Sequence, residues 1–406
     1  MFAIHQRTGP WYYSIMVSGK ERCYNKGAVK MCIYVDKYQE KAMEYRKLPH
    51  GDEMISVVGM GTSVVGEESA ANVAKTVTYA LDHGINYFDM AGGHASIFPG
   101  MGEALKGRRK EAMLQVHFGA DYTSGEYGWN LSLDGVKKSV DWQLRELNTD
   151  YIDFGFMHCL DENADLDAYI GNGVLDFLKS MKEQGVVKHL GLSTHSPMLA
   201  NRVLDMGLID MMMFSINPMY DYGQGDYSIG SGSERYQLYN RCEKEGVGIS
   251  VMKPFNAGQL LNAAKSPFHR ALTPAQCIQY ALDRPGVITV MQGAGNVEEL
   301  KANLAYLEAT DEERDYSVIG SFTPDETRGK CVYCKHCHPC PAGLDIGLIN
   351  KYYDLSVLGD VLAREHYLTL DKTAEDCVAC GHCNSRCPFS VNQVDRMQRI
   401  KEYFGK

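Results

Sequence analysis

Eight of the 13 cysteines lie close to the C-terminus, at spacings that suit metal ligation. Two stretches, CVYCKHCHPCP and CVACGHCNSRCP, each contain a C-x₂-C-x₂-C run followed by a cysteine–proline pair. The two sets are Cys331, Cys334, Cys337 and Cys340, and Cys377, Cys380, Cys383 and Cys387. Thiolates at such spacings are ligands for iron–sulfur clusters or for zinc.

The pattern favours two [4Fe-4S] clusters over two zinc sites. Three thiolates at this spacing bind one [4Fe-4S] cluster, and the cysteine before the proline is the fourth ligand of the other cluster. One cluster then takes Cys331, Cys334, Cys337 and Cys387, and the other takes Cys377, Cys380, Cys383 and Cys340. Zinc needs only two CxxC pairs, which leaves a third cysteine and a proline in each stretch unexplained. The first stretch departs slightly from the standard spacing, with two residues instead of three before its last cysteine.

Upstream of this tail, short apolar runs alternate with amphipathic helical patterns. The runs that predict strands are ISVVGMG, NYFDMA, AMLQVHF, YIDFGFMHC, VKHLGLSTH, MMMFSIN, GISVMKPF and VITVMQGAG. Eight strands separated by helices predict a (β/α)₈ TIM barrel, an α/β fold whose active site lies at the C-terminal ends of its strands. A doubly wound open sheet is the alternative, but the nearest glycine-rich turn, GMGTSVVG, does not spell G-x-G-x-x-G.

Three regions follow from these patterns. Residues 1–42 form an N-terminal extension with neither helical nor strand periodicity, residues 43–325 the barrel, and residues 326–406 a small, mainly α-helical, ferredoxin-like iron–sulfur domain. The role of the extension is open, and translation from an upstream start is an equal explanation for it.

Composition excludes several classes of protein. The formal net charge of −10 argues against non-specific nucleic-acid binding. No apolar run approaches the ~20 residues that a membrane span requires, and no secretory signal is evident. Clustered cysteines without an export signal indicate a reducing compartment, so we expect a cytoplasmic protein, and oxygen-sensitive cubanes favour an anaerobic source.

The sequence resembles the aldo/keto reductase family, specifically its members with a C-terminal ferredoxin-type domain. The resemblance spans residues 43–406 and depends on NYFDMAGG, NTDYIDFGFMHC, KPFNAGQLL and QGAGNVEELKANL, followed by the cysteine tail. It implies an oxidoreductase with a nicotinamide cofactor across the barrel mouth. It also implies a catalytic Asp, Tyr, Lys and His, with the tyrosine as proton donor to a carbonyl.

Two of those four residues are replaced here. By position, the Asp is Asp89 and the His is His158, whereas His94 stands at the Tyr position and His117 at the Lys position. Histidine can act as a general acid near neutral pH, so His94 is a candidate substitute for the tyrosine. Together with His195, the three histidines could alternatively bind a transition metal, although separate roles in binding substrate or backbone are favoured.

Only some of the positions that the resemblance assigns to the nicotinamide cofactor keep the residue that it implies. Ser193 and Asn217 are kept, whereas Thr194 and Ser215 replace an Asn and a Gln. Gly258, Gly293 and Gly295 permit close backbone approach to a pyrophosphate, in loops that include Asn296. Glu299 stands where a basic residue would bind a 2′-phosphate, so a nicotinamide, if bound, would be NADH.

The leading hypothesis is an iron–sulfur oxidoreductase that acts on a small substrate, of which a carbonyl compound is one candidate, with electrons passed through both clusters. Clusters move single electrons and nicotinamide moves a hydride, so a flavin, a substrate radical or a metal would be needed to accept single electrons in the barrel. A ferredoxin or another redox protein is the expected partner. The alternatives are an electron-transfer or docking protein with an inactive barrel, and an NADH-dependent carbonyl reductase with structural clusters.

Overall fold

The computed structural model describes most of the chain after the first 19 residues. The described residues are 20–26, 29–35, 42–67, 69–222, 228–321, 329, 331, 336–357, 364, 367–368, 370–387 and 389–406. They divide into two compact units, Met1–Ala42 and Met43–Lys406. In the first unit, β1 (Lys20–Lys26) and β2 (Val29–Val35) form an antiparallel hairpin, which the sequence patterns did not predict.

The second unit contains the predicted barrel. Strands β3 (Tyr45–Lys47) and β4 (Met54–Ser56) form a hairpin ahead of it. Eight parallel strands then close on themselves in the order β10-β11-β12-β13-β14-β5-β6-β7. These strands are β5 (Val58–Gly61), β6 (Tyr87–Asp89), β7 (Met113–Phe118), β10 (Ile152–Met157), β11 (Val187–Thr194), β12 (Met211–Ser215), β13 (Gly248–Met252) and β14 (Val287–Gly293). All eight strand predictions and the TIM-barrel fold are confirmed, and the open sheet is excluded.

Helices surround the strands and continue into the C-terminal part. They are α1 (Ala70–Asp82), α2 (Ile97–Ala104), α3 (Leu133–Glu146), α4 (Asn163–Gly171), α5 (Val174–Glu183), α6 (Pro197–Leu204), α7 (Pro218–Asp221), α8 (Gly232–Glu245), α9 (Pro274–Leu282), α10 (Val297–Leu304), α11 (Asp311–Arg314), α12 (Ile346–Val357), α13 (His382–Arg386) and α14 (Gln393–Phe404). A short hairpin, β8 (Ala120–Asp121) and β9 (Gly128–Trp129), follows β7. Among the described helices, none is long and apolar enough to cross a bilayer.

Local sequence explains where helix α8 begins and ends. Ser231 accepts a hydrogen bond from the backbone N–H of Glu234, whose side chain returns to the backbone of Ser231, so a capping box starts the helix. Gly246 ends it in the left-handed conformation, at φ +72°, which glycine adopts without a Cβ penalty.

Strand β12 shows how the barrel is filled. Met211 and Met213 belong to a cluster inside the barrel, whereas Met212 and Phe214 belong to the larger cluster that includes residues of the surrounding helices. This alternation is the period of a strand buried on both faces, and it confirms that the methionine run is core.

The C-terminal part packs against the barrel on the side of α8. The Tyr236 hydroxyl donates to the carbonyl oxygen of Cys331 over 2.9 Å, and the Tyr222 and Phe389 rings lie 6.2 Å apart. Cys331 and Phe389 belong to the barrel's own apolar cluster, whereas Cys337 and Cys383 belong to a second cluster. Cys331 therefore lies against the barrel, and the partly buried Cys387 packs on the same cluster.

A buried ion pair fixes the loop at the end of β12. Arg235 is fully buried, and its Nε donates to Oδ1 of Asp221 over 2.9 Å. Its Nη2 donates to the Ser215 carbonyl, and the hydroxyls of Tyr239 and Tyr280 also donate to Asp221. This network joins α8 and α9 to the mouth of the barrel.

We predict that Asp221→Ala lowers the free energy of unfolding by about 3–5 kcal/mol, because it leaves a buried guanidinium without its anion. Asp205→Ala is the matched control, since Asp205 pairs with Arg241 at the surface and should change stability by less than about 1 kcal/mol. Urea denaturation of both variants measures the difference. Equal effects would contradict a special role for the buried pair.

Candidate active site at the barrel mouth

Asp89, the last residue of β6, accepts two hydrogen bonds at one carboxylate oxygen. Gln115 Nε2 donates to Asp89 Oδ1 over 2.9 Å, and His117 Nε2 lies 2.7 Å from the same oxygen. Both donors project from β7, which pairs with β6 so that Asp89 stands opposite Gln115. All three residues are buried, and the two donors lie 3.1 Å apart because they share one acceptor.

The orientation of Gln115 follows from its other partners. Its Oε1 accepts from the Tyr87 hydroxyl over 2.8 Å and from the Ser250 hydroxyl over 3.1 Å. The amide NH₂ must therefore face Asp89. Because a carboxylate only accepts, His117 must carry a proton on Nε2.

The hydrogen bonds continue from His117 toward the solvent. His117 Nδ1 lies 2.9 Å from His158 Nδ1, and His158 Nε2 lies 2.8 Å from the Tyr127 hydroxyl. Burial, and then the neighbouring His117, lower the pKa of His158 well below its ordinary value, so His158 is neutral. A neutral His158 with its proton on Nδ1 donates to His117 and accepts from Tyr127. When His117 is neutral as well, the four side chains form one chain of bonds in a single direction, from Tyr127 to Asp89.

Tyr127 brings this chain to the surface. It lies just before β9, its backbone N–H donates to Gly93 over 3.1 Å, and its side chain leaves the residue 43% exposed. Burial, and then Cys159, raise the pKa of Tyr127, so the phenol is neutral at neutral pH. Trp129 stands on the same side of the hairpin, with its Nε1 3.4 Å from the His158 carbonyl oxygen. Sequence reasoning missed Tyr127; the available signal was the alternation of two aromatic residues in EYGW after a barrel strand.

His94, predicted as the substitute acid, lies beside this chain. Its Nδ1 is 3.0 Å from Glu126 Oε2, and its side chain is 42% exposed. A backbone bridge joins the two residues, so the loop after β6 and the hairpin after β7 are held together. His94 thus reaches the mouth, with Glu126 as the partner of its ring.

A second polar group lies at the ends of β10, β11 and β13. His195 Nδ1 is 2.9 Å from Asp161 Oδ2, and Lys253 Nζ is 3.0 Å from His195 Nε2. Donor atoms of Cys159, Asp161 and His195 lie within 4.8 Å of one another, the one such metal-capable group among the described residues. Of the four histidines considered as metal ligands, this group contains only His195.

The residues predicted to hold a nicotinamide cofactor lie at the ends of β11 and β14, in the loops after β12, β13 and β14, and on α10. Glu299 Oε2 accepts from the Gly295 N–H over 2.8 Å, and Asn296 caps α10 by accepting from the Glu299 N–H. The Glu299 carboxylate therefore occupies the turn between β14 and α10, where an anion would otherwise bind.

The remaining predicted cofactor residues are engaged locally. Asn217 caps α7 and donates to the Lys253 carbonyl over 2.9 Å, and Ser193 is buried against Met213. Gly258 has φ +79°, in the conformation that glycine favours, and Gly293 accepts from Asn303.

In the described tail, cysteines from the two sequence stretches lie close together. One cavity is lined by Cys337, Cys340, Cys377, Cys380 and Cys383. Burial raises the pKa of Cys337, and the neighbouring Cys331, Cys387 and Cys383 raise it further. The cavity and the surroundings of Cys337 therefore each contain cysteines from both sequence stretches. Cys334 lies outside the described residues.

Comparison with known proteins agrees with this architecture. A profile described as "Aldo/keto reductase family" matches residues 57–272, more than half of the chain, and one described as "4Fe-4S dicluster domain" matches residues 330–392. The "uncharacterized oxidoreductase YqkF" of Bacillus subtilis is 27% identical over 67% of this chain and 94% of its own length. The L-galactose dehydrogenase of Arabidopsis thaliana is 26% identical over 65% of this chain and 88% of its own.

A solved structure shares the barrel. The holo form of aldo-keto reductase AKR11C1 from Bacillus halodurans is 25% identical, with a TM-score of 0.54 over 67% of this chain and 94% of that one. The profile match covers the strands that carry Asp89, His117 and His158. The chain is an oxidoreductase that belongs to the aldo/keto reductase family and carries a C-terminal 4Fe-4S dicluster domain.

Proposed function

We propose that the chain reduces a carbonyl compound at the barrel mouth, with Tyr127 as the proton donor and Asp89, His117 and His158 as the groups that supply its proton. The single observation that supports this most is the continuous chain of hydrogen bonds from Asp89 to Tyr127. A chain of hydrogen bonds that ends at a half-exposed phenol can replace the proton that the phenol gives up as a general acid.

The chain can transfer a proton because each histidine has two nitrogens. When the His117–Asp89 pair takes up a proton, His117 donates from Nδ1 to His158, and His158 donates from Nε2 to the Tyr127 oxygen. The phenolic proton then points into the mouth. As negative charge develops on the substrate oxygen, Tyr127 gives up its proton and receives one from His158, and the bonds return to their inward direction.

The cysteines are suited to holding two [4Fe-4S] clusters, which when bound supply single electrons. Cys331, Cys334, Cys337 and Cys387 would hold one, and Cys340, Cys377, Cys380 and Cys383 the other. All four cysteines of the second set line one cavity, beside Cys337 of the first set, and this proximity of the two sets is what a two-cluster domain needs. A ferredoxin or a similar redox protein is the proposed donor of the two electrons, and the carbonyl carbon takes its hydrogen as a proton from solvent.

Two other functions remain as alternatives. An electron-transfer or docking protein would not need a buried chain of hydrogen bonds that ends at the barrel mouth. An NADH-dependent reductase with structural clusters would use the same acid. For that case Glu299 favours NADH over NADPH, since its carboxylate would repel a 2′-phosphate.

Replacing the phenol tests the proton donor. We expect Tyr127→Phe to lower kcat for carbonyl reduction by about 10²- to 10⁴-fold, with a smaller change in KM, because the acid is lost. Tyr45→Phe, which removes an exposed hydroxyl before the barrel, is the matched control. Steady-state kinetics of both variants and of His94→Gln decide between the acids. A loss in His94→Gln without a loss in Tyr127→Phe would assign the acid to His94.

Removing one cysteine tests the cluster assignment. Wild-type protein purified anaerobically should contain about eight iron and eight sulfide per chain, and Cys380→Ser about half as much. Cys159→Ser is the control and should keep the full content, because Cys159 belongs to the barrel. Zinc in place of iron in the wild type would contradict the assignment.

Dinucleotide binding tests the role of Glu299. We expect NADH to bind at least about tenfold more tightly than NADPH, because of repulsion between carboxylate and phosphate. Glu299→Gln should narrow this ratio, whereas Glu298→Gln, in the same helical turn but paired with Lys301, should leave it unchanged. Fluorescence titration measures the ratio, and tighter binding of NADPH by the wild type would refute the argument.

A further inference from the structure

Lys253 presents a cation at the barrel mouth, held in place by two other side chains. It directly follows β13, and its backbone is left-handed at φ +56°, a conformation uncommon outside glycine. Its Nζ lies 3.0 Å from His195 Nε2, and its carbonyl oxygen accepts from Asn217 over 2.9 Å. Both ends of the residue are therefore positioned by neighbouring strand ends.

Asp161 determines which ring nitrogen of His195 carries the proton. Its Oδ1 accepts from the His195 backbone N–H over 2.6 Å and from the Thr194 hydroxyl over 3.1 Å, and its Oδ2 accepts from His195 Nδ1 over 2.9 Å. His195 therefore carries its proton on Nδ1 and accepts from the Lys253 ammonium at Nε2. Although burial acts to raise it, these bonds keep the pKa of Asp161 below its ordinary value.

The charges favour an anionic ligand over a metal ion. Burial raises the pKa of Cys159 to about 11, so the thiol is neutral and offers no competing charge. The Lys253 ammonium already stands beside the imidazole that a metal would need. Burial lowers the pKa of Lys253, although Cys159 and Asp161 act to raise it. An anion in contact with the ammonium would offset the cost of burial and stabilise the charged form. The negative charge of Asp161, on the other side of the His195 ring from Lys253, disfavours a ligand with two negative charges. A carboxylate, which has one, is therefore the preferred ligand.

The lysine and the proposed acid have one neighbour in common. Cys159 directly follows His158 in the sequence, and a thiolate there would be near enough to shift the pKa values of both Tyr127 and Lys253. Both groups therefore lie near Cys159, where one ligand could contact them.

We propose that Lys253, positioned by His195 and Asp161, binds the carboxylate of the substrate, which is a carbonyl compound carrying a carboxylate group. The inference deepens the proposed function and depends on it for the position of the carbonyl. The ammonium has three N–H donors, so it can bind a carboxylate oxygen in addition to His195.

Two aldehydes, one with a carboxylate and one with that carboxylate blocked as a methyl ester, test the proposal. 4-Carboxybenzaldehyde and its methyl ester are compared as substrates of the holoenzyme, with reduced methyl viologen or NADH as electron donor. The wild type should have a kcat/KM at least about tenfold higher for the acid, and Lys253→Met should lower the value for the acid by about 10- to 100-fold while changing the ester little. Lys110→Met, exposed ahead of β7 at the other end of the barrel, is the control.

Equilibrium binding separates this inference from the proposed function. Benzoate is titrated into both proteins by calorimetry, after iron content and circular dichroism confirm that Lys253→Met is folded. Loss of benzoate binding in Lys253→Met supports the carboxylate site even if neither aldehyde is reduced. Equal kcat/KM for acid and ester in the wild type overturns the site while the reductase function stands. Weaker NADH binding in Lys253→Met with an unchanged preference for the acid would assign the lysine to the dinucleotide and also overturn it.

Discussion

The shared oxygen of Asp89 is the contact on which the candidate active site depends. A buried carboxylate must be hydrogen-bonded, and here Gln115 and His117 both donate to Oδ1. Tyr87 and Ser250 turn the Gln115 amide toward the carboxylate, and His117 keeps a proton on the Nε2 that faces Asp89. Its Nδ1 accepts from His158 when His117 is neutral and donates when the His117–Asp89 pair has taken up a proton. The charge of this buried pair therefore sets the direction of the bonds out to Tyr127.

The replacement of lysine by histidine changes what this position can do. The resemblance places a lysine opposite the Asp in other members, where an ammonium acts as a fixed charge with donors only. His117 bonds to Asp89 through one nitrogen and to His158 through the other, so a proton can enter on one side and leave on the other. The site thereby gains a connection through His158 to the phenol of Tyr127, on the loop after β7.

The sequence was sufficient for the fold because each barrel strand is a continuous apolar run between helical patterns, as in MMMFS of β12. It also predicted that Asp89, His117 and His158 meet at one mouth, because they follow parallel strands that end there. It could not identify Tyr127, because the position of a side chain on a loop depends on how the hairpin folds back. The same holds for Glu299, whose predicted place at the cofactor loop did not reveal that its carboxylate bonds to the Gly295 N–H.

Neutron diffraction from a crystal of the resting protein would test the directed chain of hydrogen bonds most directly, because it locates the protons themselves. The account predicts one proton between each pair of partners, all in the same sense: from Tyr127 to His158 Nε2, from His158 Nδ1 to His117 Nδ1, and from His117 Nε2 to Asp89. A crystal at lower pH should show the opposite sense between the two histidines and at Tyr127. Protons on both facing Nδ1 atoms, or on neither, would contradict the account.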